Sequence, residues 1–410
     1  MKHCNNYLLF PDSQHGFLPS CSTLTSIIRS TDQWQKQKDA GKSTGVLLFD
    51  LSAAFDTISS NILLEKLHKL GFHQTAINWI SSYLTERYQK VKMGAATSER
   101  KLLTTGVPQG SVLGPLLFIL YVNDLGNCLG QEAFLSCYAD DTIISCSDNS
   151  ITTVIKELEN EAKKVLKYFA SNGLVANACK TKFMLIRSKA DKTWPECKIN
   201  IGESMIAESQ SEKILGILVN NKMDWKDHYE HINNVLRQQI GVIKRISFKI
   251  PRRSVLRLLD GLVYSHVRYC LPVFAQPRLS ENDPVNGLMK TLQITINNGL
   301  RVTLGVKKAH KIQVSKLHDQ CKASTLNHLA IQSILKLTSL ILEGKCDGLK
   351  GFFDEDEISH EYFTRSQAKG LLENSMKGTC FRQHGIHIWN ACQKENAAPR
   401  KEIEISMFPC

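Results

Sequence analysis

Two patterns of apolar residues alternate along the first half of the chain, and one of them takes over in the second. Thr44 to Asp50 (TGVLLFD) is a short continuous run rich in strand formers that ends on an acid, the pattern of a buried strand. Beyond it, Ile62, Leu63, Leu67 and Leu70 recur at helical spacing, with Ser59 or Ser60 as the cap and Gly71 as the stop. Ile77, Trp79, Ile80 and Tyr83 predict a second helix over 75–84. Gly106, Pro108 and Gly110 then punctuate a loop ahead of the apolar segment Val112 to Val122. Phe134 to Ser147 (FLSCYADDTIISCS) reads as two strands joined at an acidic tip. The clearest helix follows, its stripe running from Ile151 through Val154, Leu158, Ala162 and Val165 to Phe169, with an end near Gly173.

Lys182 to Arg187, Lys198 to Ile206 and Lys213 to Val219 are three further strand candidates, so strands with intervening helices make an α+β layer the expected class. From Trp225 onward the pattern is helical. Ile232, Leu236, Ile240 and Ile243 form a stripe interleaved with Lys and Arg, and residues 252–268 add a second basic stretch of the same period. Gly344 to Gly351 reads as a linker, and no internal repeat is present.

Composition adds a partner class to this outline. The 410 residues leave room for two or three domains, and 42% apolar with 22% charged residues is the balance of a folded chain. The net charge of +12 favours a polyanion, since neutralising phosphates releases their counterions; a plain basic protein carries the same surplus, so charge alone does not decide. The 13 cysteines show neither a C-x-x-C pair nor zinc-finger spacing with histidine. Met1 to Phe10 lacks a signal-peptide core, and Val112 to Val122 is far short of the ~20 residues of a spanning helix. Reduced thiols, no membrane anchor and an intracellular setting in cytoplasm and nucleus are the expectation.

The candidate chemistry lies in three aspartates. Asp50 ends a buried strand, where an unpaired carboxylate is costly, and Asp140 with Asp141 sits at a hairpin tip. If the two strands are sheet neighbours, the carboxylates meet and repel unless a cation lies between them. Hard oxygen donors suit Mg²⁺, and a pair of such ions can activate an attacking oxygen and stabilise a leaving one, the logic of nucleotidyl transfer. Singly, an Asp at a strand end is also a common cap, and Asp-Asp at a hairpin tip is also commonly solvated.

Three segments taken together go further. Phe49-Asp50-Leu51-Ser52-Ala53-Ala54-Phe55-Asp56, then Gly106 to Pro115 (GVPQGSVLGP), then Tyr138-Ala139-Asp140-Asp141 resemble, in order, motifs A, B and C of reverse transcriptases, in the wording of non-LTR (LINE-type, jockey-like) retrotransposons. Gln14-His15-Gly16-Phe17 with Ser22-Thr23 resembles the fingers motif ahead of A. Asn177 with Lys180-Thr181-Lys182 resembles motif D, and Leu215-Gly216 with Trp225 and His228 resembles motif E. The resemblance runs over residues 12–275.

It implies a right-hand polymerase fold with an antiparallel palm sheet, partial fingers in 1–43, palm in 44–224, a helical thumb in 225–310 and a region of open role in 311–410. It implies that Asp50 and Asp140 hold two Mg²⁺ ions, with Mn²⁺ as a substitute, supported by Asp141 and by the carbonyl of Leu51. Phe55 falls where a ring excludes a 2′-hydroxyl and selects dNTPs. Gln109 and Gly110 fall at the nucleotide and template pocket, and Lys180 or Lys182 near the triphosphate, the spacing leaving that pair open. Arg237, Lys244, Arg245, Arg252 and Arg253 fall on the thumb as grips for a duplex of RNA template and DNA primer. Asp56 and Ser52 read as structural, and Trp79 with Tyr83 as core. The expectation is a core shortened at its start, without outer fingers and with any endonuclease supplied elsewhere. A catalytically impaired nucleic-acid-binding remnant is the second reading, and a maturase-like fold, against which the wording of A and B speaks, the third.

Overall fold

Strand β1 (Ser43–Phe49) is buried along nearly its whole length because it lies inside a sheet with helices on its face. The computed structural model describes residues 4, 9–177, 180–188, 196–202, 204–279, 283, 286–306, 312–353 and 380–394. These fall into two compact units, one of residues 1–30 and 40–210, the other of residues 31–39 and 211–410.

The first unit is built on a six-stranded sheet. Besides β1 it contains β6 (Phe134–Tyr138), β7 (Asp141–Asp148), β8 (Lys182–Ile186), β9 (Lys198–Ile201) and β10 (Ser204–Ser209), in the order β6-β7-β1-β8-β10-β9. The expected antiparallel pairing holds except at one place: β8 and β10 run parallel. The buried Glu208 carboxylate locks that junction, accepting from the Arg187 guanidinium on β8's end (2.6 Å to Nη2) and from the Cys197 N–H (3.1 Å). Lys198 to Ile206, expected as one strand, turns at Gly202 into two paired ones, β9 and β10.

Helices α2 (Ser60–Lys69), α3 (Gln74–Leu84), α4 (Leu113–Tyr121) and α5 (Ile151–Ser171) also lie in this unit. Helix α5 packs its predicted stripe on β1 and β7, and comes close because β1 carries Gly45: a Cβ there would lie 2.8 Å from Val154 and 2.9 Å from Leu158. Phe169 closes the layer edge-on to Phe49, ring centroids 6.1 Å apart. Between the helices, the Lys66 ammonium donates to the Tyr121 carbonyl, to Asp124 (both 2.6 Å) and to the Tyr168 hydroxyl (3.0 Å); burial still lowers its pKa, with Asp124 offsetting only part of the desolvation.

The second unit is helical, with one hairpin. Lys213 to Val219, expected as a single strand, is two strands, β11 (Ser211–Ile214) and β12 (Ile217–Asn220), reversed at Leu215-Gly216 where both residues have positive φ. This hairpin opens the run of residues 211–410 that belongs to the second unit. Helix α6 (Lys226–Ile246) buries Ile232, Leu236, Ile240 and Ile243 against the later α10 (Gly287–Leu304), and is followed by α7 (Arg252–Leu259), α8 (Ser265–Arg268) and α9 (Leu271–Phe274). Gly299 makes the crossing possible, since a Cβ there would meet Leu259 at 2.7 Å and Ile240 at 3.3 Å. Helices α11 (Val314–Cys321), α12 (Leu326–Leu342) and α13 (Phe381–Lys394) follow. The stretch read as a linker is packed instead, with Cys346, Leu349 and Phe352 buried. No described helix is long and apolar enough to cross a membrane.

Helix α1 (Thr23–Asp39) contributes its last nine residues to this second unit. There Arg382 of α13 donates to both oxygens of Asp32, at 3.0 Å from Nη2 and 3.2 Å from Nε, with both side chains out of solvent. The guanidinium also lies 4.1 Å from the centre of the Phe352 ring. Replacing Arg382 by Met leaves a buried carboxylate without its main counter-charge, and urea unfolding should show a loss of about 3–5 kcal/mol. Adding Asp32→Asn should recover part of it; an unchanged unfolding midpoint for Arg382→Met would show that the pair contributes nothing.

Candidate active site

The pairing register of β1 decides where the acids lie. Phe49 pairs with Thr142 on β7, so one step further along the strand Asp50 comes level with Asp141. Asp141 opens β7 opposite Tyr138, and the two residues between them, Ala139 and Asp140, are the hairpin turn. Opposed residues of an antiparallel pair present their side chains on the same face, so Asp50, Asp140 and Asp141 gather at one end of the sheet. On the other edge of β1, Asn177 N–H donates to the Asp50 carbonyl (2.8 Å) and Ser52 N–H to the Val175 carbonyl (2.9 Å). Leu51 faces Ala176 between those two bonds, which turns its own carbonyl to the side where the hairpin lies.

Asp50 is partly exposed, but its Oδ2 is out of solvent and has the Lys180 ammonium at 2.9 Å. Lys180 is held on a turn whose amides donate to the Asn177 carbonyl, 3.0 Å from Lys180 and 2.9 Å from Thr181. Lys182 instead begins β8, level with Leu48. Of the two lysines, Lys180 is the one in contact with the acids. Its pKa is raised, chiefly by Asp50. Crowding by protein raises Asp140, with Asp50 adding to it and Lys180 opposing. Asp141 is pushed up to about 6, first by desolvation and then by repulsion from Asp140 and Asp50.

These donors fit a hard divalent cation: they are carboxylate oxygens in one mutually repelling field, one of them shielded from water, with a backbone carbonyl turned toward them. They are not a closed cage. Among the described residues no three His, Cys, Asp or Glu side chains are already arranged around one point, and Asp50 is engaged by Lys180.

The acidic turn has a support that the strand pattern alone does not show. Ala139 has φ +57°, a conformation that costs a side-chain-bearing residue ~1–2 kcal/mol. The buried Gln14 side chain holds it there: Oε1 accepts from Ala139 N–H at 3.1 Å and from Gly16 N–H at 2.7 Å. Cys137 N–H donates to the Ser13 carbonyl (2.7 Å) and His15 N–H to the Cys137 carbonyl (2.8 Å), making a short parallel bridge beside the hairpin. Gly16 is obligatory, because a Cβ would sit 2.3 Å from the Ala139 nitrogen. The neighbouring Phe17 lies edge-on to Phe55 (6.3 Å), and Phe55 stacks on Phe118 (4.7 Å, 26°), so the same loop reaches from the acidic turn to the Phe55 ring.

Residues 105–110 are fastened to the segment after β1. Gly106 N–H donates to the Ile58 carbonyl (2.8 Å) and Val107 N–H to the Phe55 carbonyl (2.9 Å). A Cβ on Gly106 would strike the Asp56 backbone at 2.8 Å. Gln109 Nε2 donates to both Asp56 oxygens at 2.9 Å, so Asp56 orients Gln109. Gly110 has φ +76° and no protein atom within 4 Å of where a Cβ would be; its glycine serves the turn and leaves the loop's outer side bare.

Against known proteins, the family described as reverse transcriptase (RNA-dependent DNA polymerase) matches residues 1–219, more than half of the chain. The chain belongs to the reverse transcriptase family. A probable RNA-directed DNA polymerase from transposon BS of Drosophila melanogaster is 25% identical over 268 residues, covering 63% of this chain and 29% of that protein. The RNA-directed DNA polymerase from mobile element jockey of the same fly is 26% identical over 215 residues, covering 51% and 23%. The chain thus spans less than a third of the length of these relatives, which come from the LINE-type branch that the motif wording resembles. A solved apo telomerase from Candida tropicalis overlaps 87% of this chain and 59% of its own at 14% identity, with a TM-score of 0.44.

Reverse transcriptases depend on divalent metal and take a nucleic-acid template and primer. Of the expected grips, Arg237, Lys244, Arg245, Arg252 and Arg253 are all exposed and all lie in the second unit, on α6 and α7. Arg252 is also tied down, donating to the Gln320 carbonyl at 2.6 Å. Trp79, read as core, is not: α3 buries Ile77, Ile80 and Leu84, and Trp79 points the other way.

The Gln14 contact yields a test. Gln14→Leu keeps the bulk and removes the acceptor, at ~1–3 kcal/mol for the unsatisfied amides. Nucleotide incorporation should fall about tenfold or more in kcat with KM for the nucleotide little changed, and Gln14→Glu, which keeps an acceptor oxygen, should recover part of it. Wild-type kcat in Gln14→Leu would show that the turn needs no such support.

Proposed function

We propose that this chain is the polymerase core of a non-LTR retrotransposon reverse transcriptase, adding dNTPs to a DNA primer 3′-hydroxyl along an RNA template. The observation that carries the reading is the β1–β7 register, which brings Asp50 level with the Asp140-Asp141 turn. Two Mg²⁺ ions, or Mn²⁺ in their place, would be held by Asp50 and Asp140 with Asp141 and the Leu51 carbonyl in support. Bound there, they supply activation of the attacking oxygen and stabilisation of the leaving one.

The chain's own residues do the rest. Phe55, backed by Phe118, presents a ring beneath the incoming sugar that a 2′-hydroxyl would strike. Gln109, aligned by Asp56, and the bare backbone at Gly110 bound the nucleotide pocket. Lys180, kept as an ammonium by Asp50, offers the triphosphate a fixed positive charge and can give its proton only to a strongly basic oxygen. Lys182 lines the same approach from the start of β8. The exposed cations of α6 and α7 grip the sugar–phosphate backbone without reading sequence. This work belongs to the cytoplasm and nucleus.

The test is dNTP incorporation by the chain on a primed RNA template with Mg²⁺. Asp140→Asn should abolish it, by at least about a hundredfold, while duplex binding persists. Phe55→Val should admit rNTPs. Duplex binding without incorporation by the wild type would favour a non-catalytic remnant, and equal incorporation by wild type and Asp140→Asn would overturn the site.

A further inference from the structure

Residues 74–103 carry more apolar surface than their packing needs. Trp79, on the outer side of α3, is 57% exposed and stacks almost coplanar on Tyr83, which is half-buried against the core one turn away, centroids 6.0 Å apart at 6°. The chain then makes one small hairpin arm, with β2 (Arg87–Gln89) paired to β5 (Lys101–Leu103) at its base and β3 (Lys92–Met93) to β4 (Ala96–Thr97) at its tip. On it Tyr88 is 48% exposed, Val91 67% and Met93 81%. The Arg100 guanidinium lies 3.8 Å from the centre of the Tyr88 ring. Isolated exposed apolar residues are ordinary, but a run of them on a hairpin with almost no core of its own marks a surface that meets something.

The charges say what. Between Glu86 and Leu103 stand Arg87, Lys90, Lys92, Arg100 and Lys101 against Glu86 and Glu99. Arg87 is committed to the fold, donating to the Leu84 carbonyl (3.0 Å), the Thr105 carbonyl (2.9 Å) and the Gly106 carbonyl, which ties the arm's base to the loop beside Phe55. The other four cations are exposed. Lysine is depleted from protein–protein interface cores, whereas ring faces interleaved with cations are what an unpaired polynucleotide binds, bases on the rings and phosphates on the charges.

We propose that residues 79–101 form a docking surface for single-stranded RNA outside the carboxylate cleft, with Trp79 and the Tyr88–Arg100 pair as stacking platforms and Lys90 and Lys92 as phosphate contacts. The choice of RNA rests on the function proposed above, in which the template is the strand still unpaired ahead of synthesis.

The test uses the whole chain and an unstructured, fluorescein-labelled 16-nucleotide RNA with 4-thiouridine at its centre, beside the DNA of the same sequence. Trp79→Ala/Tyr88→Ala should weaken RNA binding about tenfold or more with an unchanged thermal midpoint. Lys90→Gln/Lys92→Gln should lower the salt dependence by about one to two counterions. Cross-links should map to residues 74–103. Unaltered RNA affinity in both variants, cross-links confined to other segments, DNA bound as well as RNA, or a dimer that the variants dissolve would each overturn the proposal. If the wild type binds RNA through this surface but incorporates no dNTP, the polymerase reading fails and the surface stands. If it incorporates normally while the variants bind RNA like wild type, the reverse holds.

Discussion

Everything in the candidate site depends on the register of one buried strand. β1 lies between β7 and β8, and its pairing with β7 sets the level of Asp50 relative to the hairpin turn. A slip of one residue would turn the apolar run of β1 to the wrong face and move Asp50 from the level of Asp141. The register is over-determined: Gly45 must lie under Val154 and Leu158, Phe49 under Phe169, and the residues just past the strand are pinned by Val175 and Asn177. The energy that holds three like charges together thus comes from apolar packing around them, with Lys180 as the one opposing charge in contact among the described residues.

Around that sheet the loops are fixed by close backbone approach. Gly16 against Ala139, and Gly106 against Asp56, are contacts at which any Cβ would collide. Through Gln14 and Phe17 one loop supports both the acidic turn and Phe55, and through Asp56 and Gln109 another segment is tied to the stretch after β1. A turn strained at Ala139 persists because its neighbours determine it from two sides.

Much of this was legible in the sequence. β1, the hairpin with its acidic tip and the long α5 stripe follow from local patterns of period two or 3.6, and the family's motifs place the carboxylates. The pattern did not show where chains turn or run parallel. Gly202 and Leu215-Gly216 broke two expected strands into four, and the parallel β8–β10 pairing depends on a buried Arg187–Glu208 contact between residues 21 apart. The linker read into 344–351 failed because glycines there sit beside buried Cys346, Leu349 and Phe352. Trp79 has helical spacing whether its side of α3 faces core or water, so periodicity alone assigned it wrongly. Lys180 and Lys182 differ by two positions in sequence, and their spacing did not show that Lys180 contacts Asp50 while Lys182 begins β8.

If the β1–β7 register builds a divalent-cation site from Asp50 and the 139–141 turn, a redox-active cation bound there must cut the chain at those residues. Hydroxyl-radical cleavage by Fe²⁺ bound in place of Mg²⁺, mapped by mass spectrometry, tests it without relying on turnover. Backbone cuts should cluster at residues 50–51 and 139–141, be suppressed by excess Mg²⁺ and be lost in Asp140→Asn. Cuts elsewhere, or cuts at these positions that persist in Asp140→Asn, would contradict it.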